Sequence, residues 1–139
     1  MPMVGGSGGS PFETIDERGR PVIGVRSRMG TWDGAPHVAS LAPLFAAASP
    51  GRAESVQLAR NGYALGAIDV SGTDFVDAVR PVFMKITSDG VDPADSYDGE
   101  WIGTPADGAV TRLSGEGAAV IGFHGRGAAV LDAVGLVCR

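Results

Sequence analysis

The sequence predicts an all-β fold made of three small sheets, and three observations carry that expectation. The chain has 22 glycines and 9 prolines in 139 residues, a density of breakers that leaves little room for long helices. The apolar stretches between them are short and rich in Val, Ile and Phe, which is strand composition. One outline also recurs three times along the chain: a small hydroxyl residue and Pro, a polar strand, an apolar-Gly-apolar step, a short Gly-containing turn, then Asp and a small residue.

The copies occupy residues 10–34, 49–78 and 104–133, so that Pro11, Pro50 and Pro105 correspond, as do Gly24, Gly66 and Gly122, and Asp33, Asp77 and Asp132. Each Pro and Gly has a backbone explanation of its own, but their common order implies repetition. Three copies of about four strands each, none able to bury its own face, would pack as three sheets around one axis, a three-fold β-prism. Strands are expected at 22–27, 55–59, 67–70, 78–86, 118–124 and 131–138. The stretch HVASLAPLFAAASP has helix-forming Ala and Leu, but Pro43 in its middle breaks a helix. It is expected to be a strand ending in a loop.

Length and composition bound the rest. At 139 residues the whole chain, 1–139, is expected to form a single domain. With 44% hydrophobic and 19% charged residues, it should fold rather than remain disordered. A net charge of −5, with 11 scattered basic residues, argues against a nucleic-acid partner, whose phosphates need Lys and Arg. No apolar run approaches the roughly 18–20 residues needed to span a bilayer, so no membrane insertion is expected. The N-terminal MPMVGGSGGS lacks the charged start and apolar stretch of a secretory signal, and the compartment stays unassigned. Cys138, the sole cysteine, excludes an intrachain disulfide and fits a buried, inert thiol.

Most chemical motifs are absent. GGSGGS has no Lys-Ser/Thr ending and no helix after it, which excludes a P-loop. SDGVDPADSYDGEW gathers Asp89, Asp92, Asp95, Asp98 and Glu100 without the ligand spacing of an EF-hand, so a solvated, turn-forming loop is expected. His37 and His124, the only histidines, form no metal motif with carboxylates. No nucleophile elbow occurs, and no carboxylate pair is singled out for glycoside hydrolysis. No cofactor, no metal and no enzymatic activity are expected.

The segment VIGFHGRGAAVLDAVG, by contrast, runs through a Gly-Arg-Gly turn to one carboxylate, Asp132. A carboxylate accepts hydrogen bonds only, so its two oxygens suit two adjacent hydroxyls of a sugar ring, while backbone N–H groups of a Gly-rich turn can donate to the ring oxygen or another hydroxyl. Such a site is shallow, with affinity on the order of millimolar, and gains strength from multivalency. The alternative reading of Asp132 is a strand-end structural residue that caps a turn.

VIGFHGRGAAVLDAVGLVC resembles the last repeat of the jacalin-related lectins, apolar-x-Gly-Phe-x-Gly-Arg followed by a turn and Leu-Asp-Ala-Ile/Val-Gly. GGSGGSPFE, residues 5–13, is similar to that family's first glycine loop, and GEWIGTP to its approach to the third repeat. The resemblance spans essentially the full chain, more loosely in its middle. It implies β-prism I, with three Greek-key-like four-stranded sheets and pseudo-three-fold symmetry. It also implies a carbohydrate site in which Gly9, Ala129 and Val130 supply backbone donors and Asp132 accepts from two hydroxyls. Ala128 stands at the turn's first position, where the family pattern has Gly. If the backbone there needs φ > 0, Ala128 costs roughly 1 kcal/mol and reshapes the turn. Ala129 and Val130 offer no aromatic face to a pyranose. At Asp33 and Asp77, after a shorter and a longer turn, structural capping is expected rather than binding.

The expected function is a lectin-like module that binds mono- or oligosaccharides of glycans, of the mannose or glucose type. The galactose-specific branch resembles a chain processed at the glycine loop, where this chain is continuous. The alternative is a β-prism interaction or assembly domain with a degenerate sugar site, and a homo-oligomer is compatible with either.

Overall fold

The computed structural model describes residues 2–105 and 110–139; the part of the third repeat at 106–109 lies outside the described residues. Twelve strands follow in chain order: β1 Met3–Gly5, β2 Ser10–Ile15, β3 Gly24–Trp32, β4 Ala35–Leu44, β5 Ser55–Leu58, β6 Tyr63–Gly72, β7 Val76–Ile86, β8 Val91–Asp98, β9 Ile102–Gly103, β10 Val110–Ser114, β11 Val120–Gly127 and β12 Leu131–Cys138. They form three antiparallel sheets, each built on a central hairpin. Sheet I has the order β1-β12-β11-β2, sheet II has β4-β3-β5, and sheet III has β10-β6-β7-β8 with β9 also pairing with β7.

The three hairpins, β3–β4, β6–β7 and β11–β12, are the physical form of the sequence repeat. Gly24, Gly66 and Gly122 lie on the first strand of each, where a Cβ would press on a neighbouring strand or on the Met84 side chain. The strands divide among the sheets as four, three and five, because the connecting segments pair unevenly beside the hairpins.

The core lies between the sheets. Val25, Val38 and Leu41 come from sheet II, Leu65, Ile68, Val70 and Phe83 from sheet III, and Phe123, Leu131 and Val134 from sheet I. Alternation along a strand places these residues on one face, and no sheet buries that face without the other two. A smaller cluster of Ala64, Ala67, Val82, Met84 and Val91 packs separately. On sheet III the buried Asp69 stands opposite Arg80 on one neighbour and Arg112 on the other. Its Oδ2 accepts from Arg80 Nη2 at 2.7 Å and its Oδ1 from Arg112 Nε at 2.7 Å. Two guanidinium groups on one carboxylate supply the pairing that a buried charge requires.

One expectation needs correction. The acidic stretch at 89–100 contains strand β8 rather than only a loop: its polar side chains face outward while its backbone extends the ladder beside β7. The residues then find separate uses, since Asp95 accepts from Tyr63 at 2.8 Å and Asp92 from the Ala94 N–H at 2.9 Å. The 37–50 stretch does form a strand to Leu44 followed by a loop. Pro36 and Pro43 are accommodated because β4 pairs on one side only.

Candidate saccharide site at the hairpin turns

The β11–β12 turn consists of Ala128, Ala129 and Val130, with Gly127 and Leu131 paired across its base. The Ala128 N–H donates to the Val130 carbonyl at 3.0 Å. Asp33, Ala53 and Glu116 are the non-glycine residues with positive φ among those described, so Ala128 carries none of the left-handed strain anticipated for it. The turn closes normally with Ala there. Ala128 and Ala129 are exposed, whereas Val130 is 2% exposed.

Asp132 follows on β12 and is 5% exposed. No donor among the described residues engages its carboxylate. The glycine loop passes close above it. A Cβ on Gly8 would lie 2.6 Å from Asp132 Oδ2, and one on Gly9 2.8 Å from Oδ1, so only glycine lets the backbone pass this close. Gly9 also has φ 66°, which L side chains disfavour. The Gly6 N–H holds the loop to the Asp132 carbonyl at 2.9 Å. Arg126 fixes its far end, donating from Nε to the Gly8 carbonyl at 3.0 Å and from Nη2 to the Gly9 carbonyl at 2.9 Å. The forked guanidinium suits two successive carbonyls. Arg126 lies within the quoted motif, but its clamp was not legible because its partners are more than a hundred residues away.

Gly8, Gly9, Ala128, Ala129, Val130 and Asp132 line one hollow of about 250 Å³, together with Trp32 and Phe75. All five site residues expected from the sequence are thus gathered in one place. The two aromatics were missed. Trp32 comes from the β3–β4 turn and Phe75 from the β6–β7 turn, with ring centroids 5.8 Å apart. The apolar face that Ala129 and Val130 lack is supplied by the other two sheets, because all three hairpin turns converge at this end of the prism.

The three repeat aspartates are not equivalent. Asp33 and Gly34, with φ 52° and 76°, form a two-residue hairpin turn with both residues left-handed, so Asp33 shapes the turn itself. The second turn matches the third in length, with Gly72 paired to Val76 as Gly127 is to Leu131, contrary to the expected difference. Asp77 therefore does occupy the position of Asp132. Its Oδ1 lies 3.0 Å from His37 Nδ1, and the imidazole also packs on Phe75 at 5.1 Å. A carboxylate already hydrogen-bonded within the fold is a poorer acceptor for an external hydroxyl.

Other chemistry finds little support. No group of three or more metal-ligating side chains occurs among the described residues. His124 Nε2 is buried without a partner, and burial pushes its pKa below the usual histidine value. Burial likewise pushes the Cys138 thiol up. No helix among the described residues is long and apolar enough to cross a membrane.

The fold is that of the jacalin-related lectins, an all-β prism. Among solved structures it is similar to artocarpin, described as a lectin with mannose specificity (TM-score 0.66, 13% identity, 98% of this chain and 93% of that one). It is also similar to a Malaysian banana lectin variant (TM-score 0.64, 14% identity, 100% and 96%) and to Calsepa lectin in complex with a bisected glycan (TM-score 0.65, 12% identity, 100% and 95%). No family model matches the sequence, and no curated protein matches it. The likeness therefore resides in the fold, at identities where side chains have largely diverged.

Proposed function

We propose that the chain acts as one saccharide-binding module whose site is the hollow between the glycine loop and the β11–β12 turn. The observation that carries this reading is Asp132: a carboxylate 5% exposed, without a donor among the described residues, lining a hollow walled by two aromatic rings. A carboxylate that accepts no hydrogen bond from the fold keeps both oxygens free for the donors of a ligand. Two adjacent sugar hydroxyls would donate to Oδ1 and Oδ2. The N–H groups of Gly9, Ala129 and Val130 would donate to the ring oxygen or a neighbouring hydroxyl, and Trp32 would cover an apolar C–H face. Mannose specificity in artocarpin and the glycan bound by Calsepa lectin favour a pyranose of the mannose or glucose type. Single-site affinity would be on the order of millimolar, with useful strength from multivalent display.

The test is a glycan-array screen of multivalent protein, followed by titration of the best hit against wild type and Asp132→Ala. Binding that is saturable in wild type and absent from a folded Asp132→Ala protein supports the assignment. Silence across a broad array would sink it in favour of an interaction domain with a degenerate site.

A further inference from the structure

A larger hollow, of about 480 Å³, opens on the flank of the prism where sheet II meets sheet III. It lies within the roughly 300–1,000 Å³ usual for small-molecule sites. Its residues do not overlap those around Asp132. Its lining is mixed in a specific way, with Ser27, Ser55, Arg28, Glu100 and Trp101 among its residues.

Ser27 and Ser55 stand directly opposite each other on β3 and β5, so their side chains share a face. Ser27 is 3% exposed, and its hydroxyl has no partner among the described residues. Neither Arg28 nor the Glu100 carboxylate forms an ion pair among the described residues, although other arginines here find acids. Unpaired groups of both signs beside a hydroxyl without a partner among the described residues are donors and acceptors left for something else.

The wall carrying Glu100 and Trp101 is held firmly. The Gln57 side chain donates from Nε2 to the Glu100 carbonyl at 2.9 Å, and its Oε1 accepts from the Glu100 N–H at 2.9 Å. Gly99 lets the chain approach, since a Cβ there would lie 2.7 Å from Gln57 Oε1. The Arg80 guanidinium lies over the Trp101 ring at 4.9 Å, setting the plane of the indole. The aromatic surface is thus fixed before any ligand arrives, which lowers the entropy cost of binding.

We propose that this flank groove is a second saccharide site, for a neutral pyranose, working independently of Asp132. One positive and one negative side chain leave the lining without net charge, which disfavours an acidic or basic ligand. Alternating hydroxyls, by contrast, need both donors and acceptors. Arg28 donates to ring or hydroxyl oxygens, Glu100 accepts from a pair of hydroxyls, Ser27 completes the floor, and Trp101 presents apolar surface to the C–H face. Two separate sites on one chain would convert weak single contacts into avidity toward branched or clustered glycans.

The chain has two tryptophans, Trp32 at the turn site and Trp101 in the groove, so each site carries its own reporter. The experiment follows the two indole N–H resonances of the full chain by heteronuclear NMR, assigned with Trp32→Phe and Trp101→Phe. The titrants are methyl α-D-manno-, gluco- and galactopyranoside and a mannotriose. A saturable shift at Trp101 is expected with at least one of them. It should persist in Asp132→Ala and weaken about tenfold in both Arg28→Ala and Glu100→Gln. The Arg28 and Glu100 side chains make no ion pairs among the described residues, and the remaining spectrum reports whether these variants stay folded. A Trp101 resonance that ignores all four saccharides overturns the proposal. So does a shift that vanishes with Asp132→Ala, or one that both groove variants leave intact. A silent Trp32 beside a responsive Trp101 would instead count against the turn site alone.

Discussion

Arg126 Nη2 donates to the Gly9 carbonyl at 2.9 Å while Nε of the same guanidinium donates to the Gly8 carbonyl at 3.0 Å, so one side chain holds the loop that covers Asp132. The consequence is testable by Arg126→Lys, which keeps the charge but loses the fork. Saccharide affinity should fall by about tenfold, the equivalent of one charge-assisted hydrogen bond, with little change in the unfolding midpoint. Equal affinity in wild type and Arg126→Lys, by calorimetric titration, would show that the loop holds itself.

Asp132→Asn separates a ligand-binding role from a structural one. A structural carboxylate loses stability when neutralised, whereas this one accepts no hydrogen bond among the described residues, so an amide in its place breaks no contact. Chemical denaturation should show stability changed by no more than about 0.5 kcal/mol, together with loss of saccharide binding. A large destabilisation would point instead to a strand-end role.

The glycine loop tolerates little. Gly8→Ala places a methyl group against Asp132 Oδ2, and Gly9→Ala adds a clash with the Gly127 carbonyl at a φ of 66°. Both should abolish binding, and Gly9→Ala should also cost about 1–2 kcal/mol. Wild-type affinity in either variant, by the same titration, would remove this loop from the site.

Trp32 is 50% exposed, and Phe75 packs on both Trp32 and His37. Trp32→Ala should therefore weaken binding several-fold while leaving the melting temperature nearly unchanged, whereas Phe75→Ala should lower both. Undiminished binding in Trp32→Ala would make the exposed indole irrelevant to the ligand.

The Asp69 carboxyl is raised by burial, but hydrogen bonds from Arg112 and Arg80 outweigh that and hold its pKa below the usual 3.8. A depressed pKa contributes stability that is complete above the unfolded value and lost as pH falls through the folded one. Asp69→Asn should cost roughly 3 kcal/mol at pH 7. The gap between wild-type and variant unfolding midpoints should narrow only below about pH 4. A gap that stays constant from pH 7 down to pH 2 would contradict the pairing.

The all-β character, the three-fold repetition and the singling out of Asp132 were legible along the chain, while the resemblance to the jacalin-related lectins implied the part of the glycine loop. Those features are local: breaker density, short Val-, Ile- and Phe-rich runs, and a turn before a carboxylate are written in consecutive residues. β12 was legible at Leu131–Cys138 because Gly-Arg-Gly delimits the apolar run before it. β8 was not, since an outward-facing strand with Asp at every third place looks like a loop until its backbone is paired. The tertiary structure decided what meets at the site. Trp32, Phe75 and Asp132 are separated by 43 and 57 positions in the sequence, and only the closing of three sheets around one core brings their turns together. The same closure pairs Asp77 with His37 and leaves Asp132 without a donor among the described residues. Two aspartates in matching repeat positions thus acquire different chemistry from neighbours that no local pattern records.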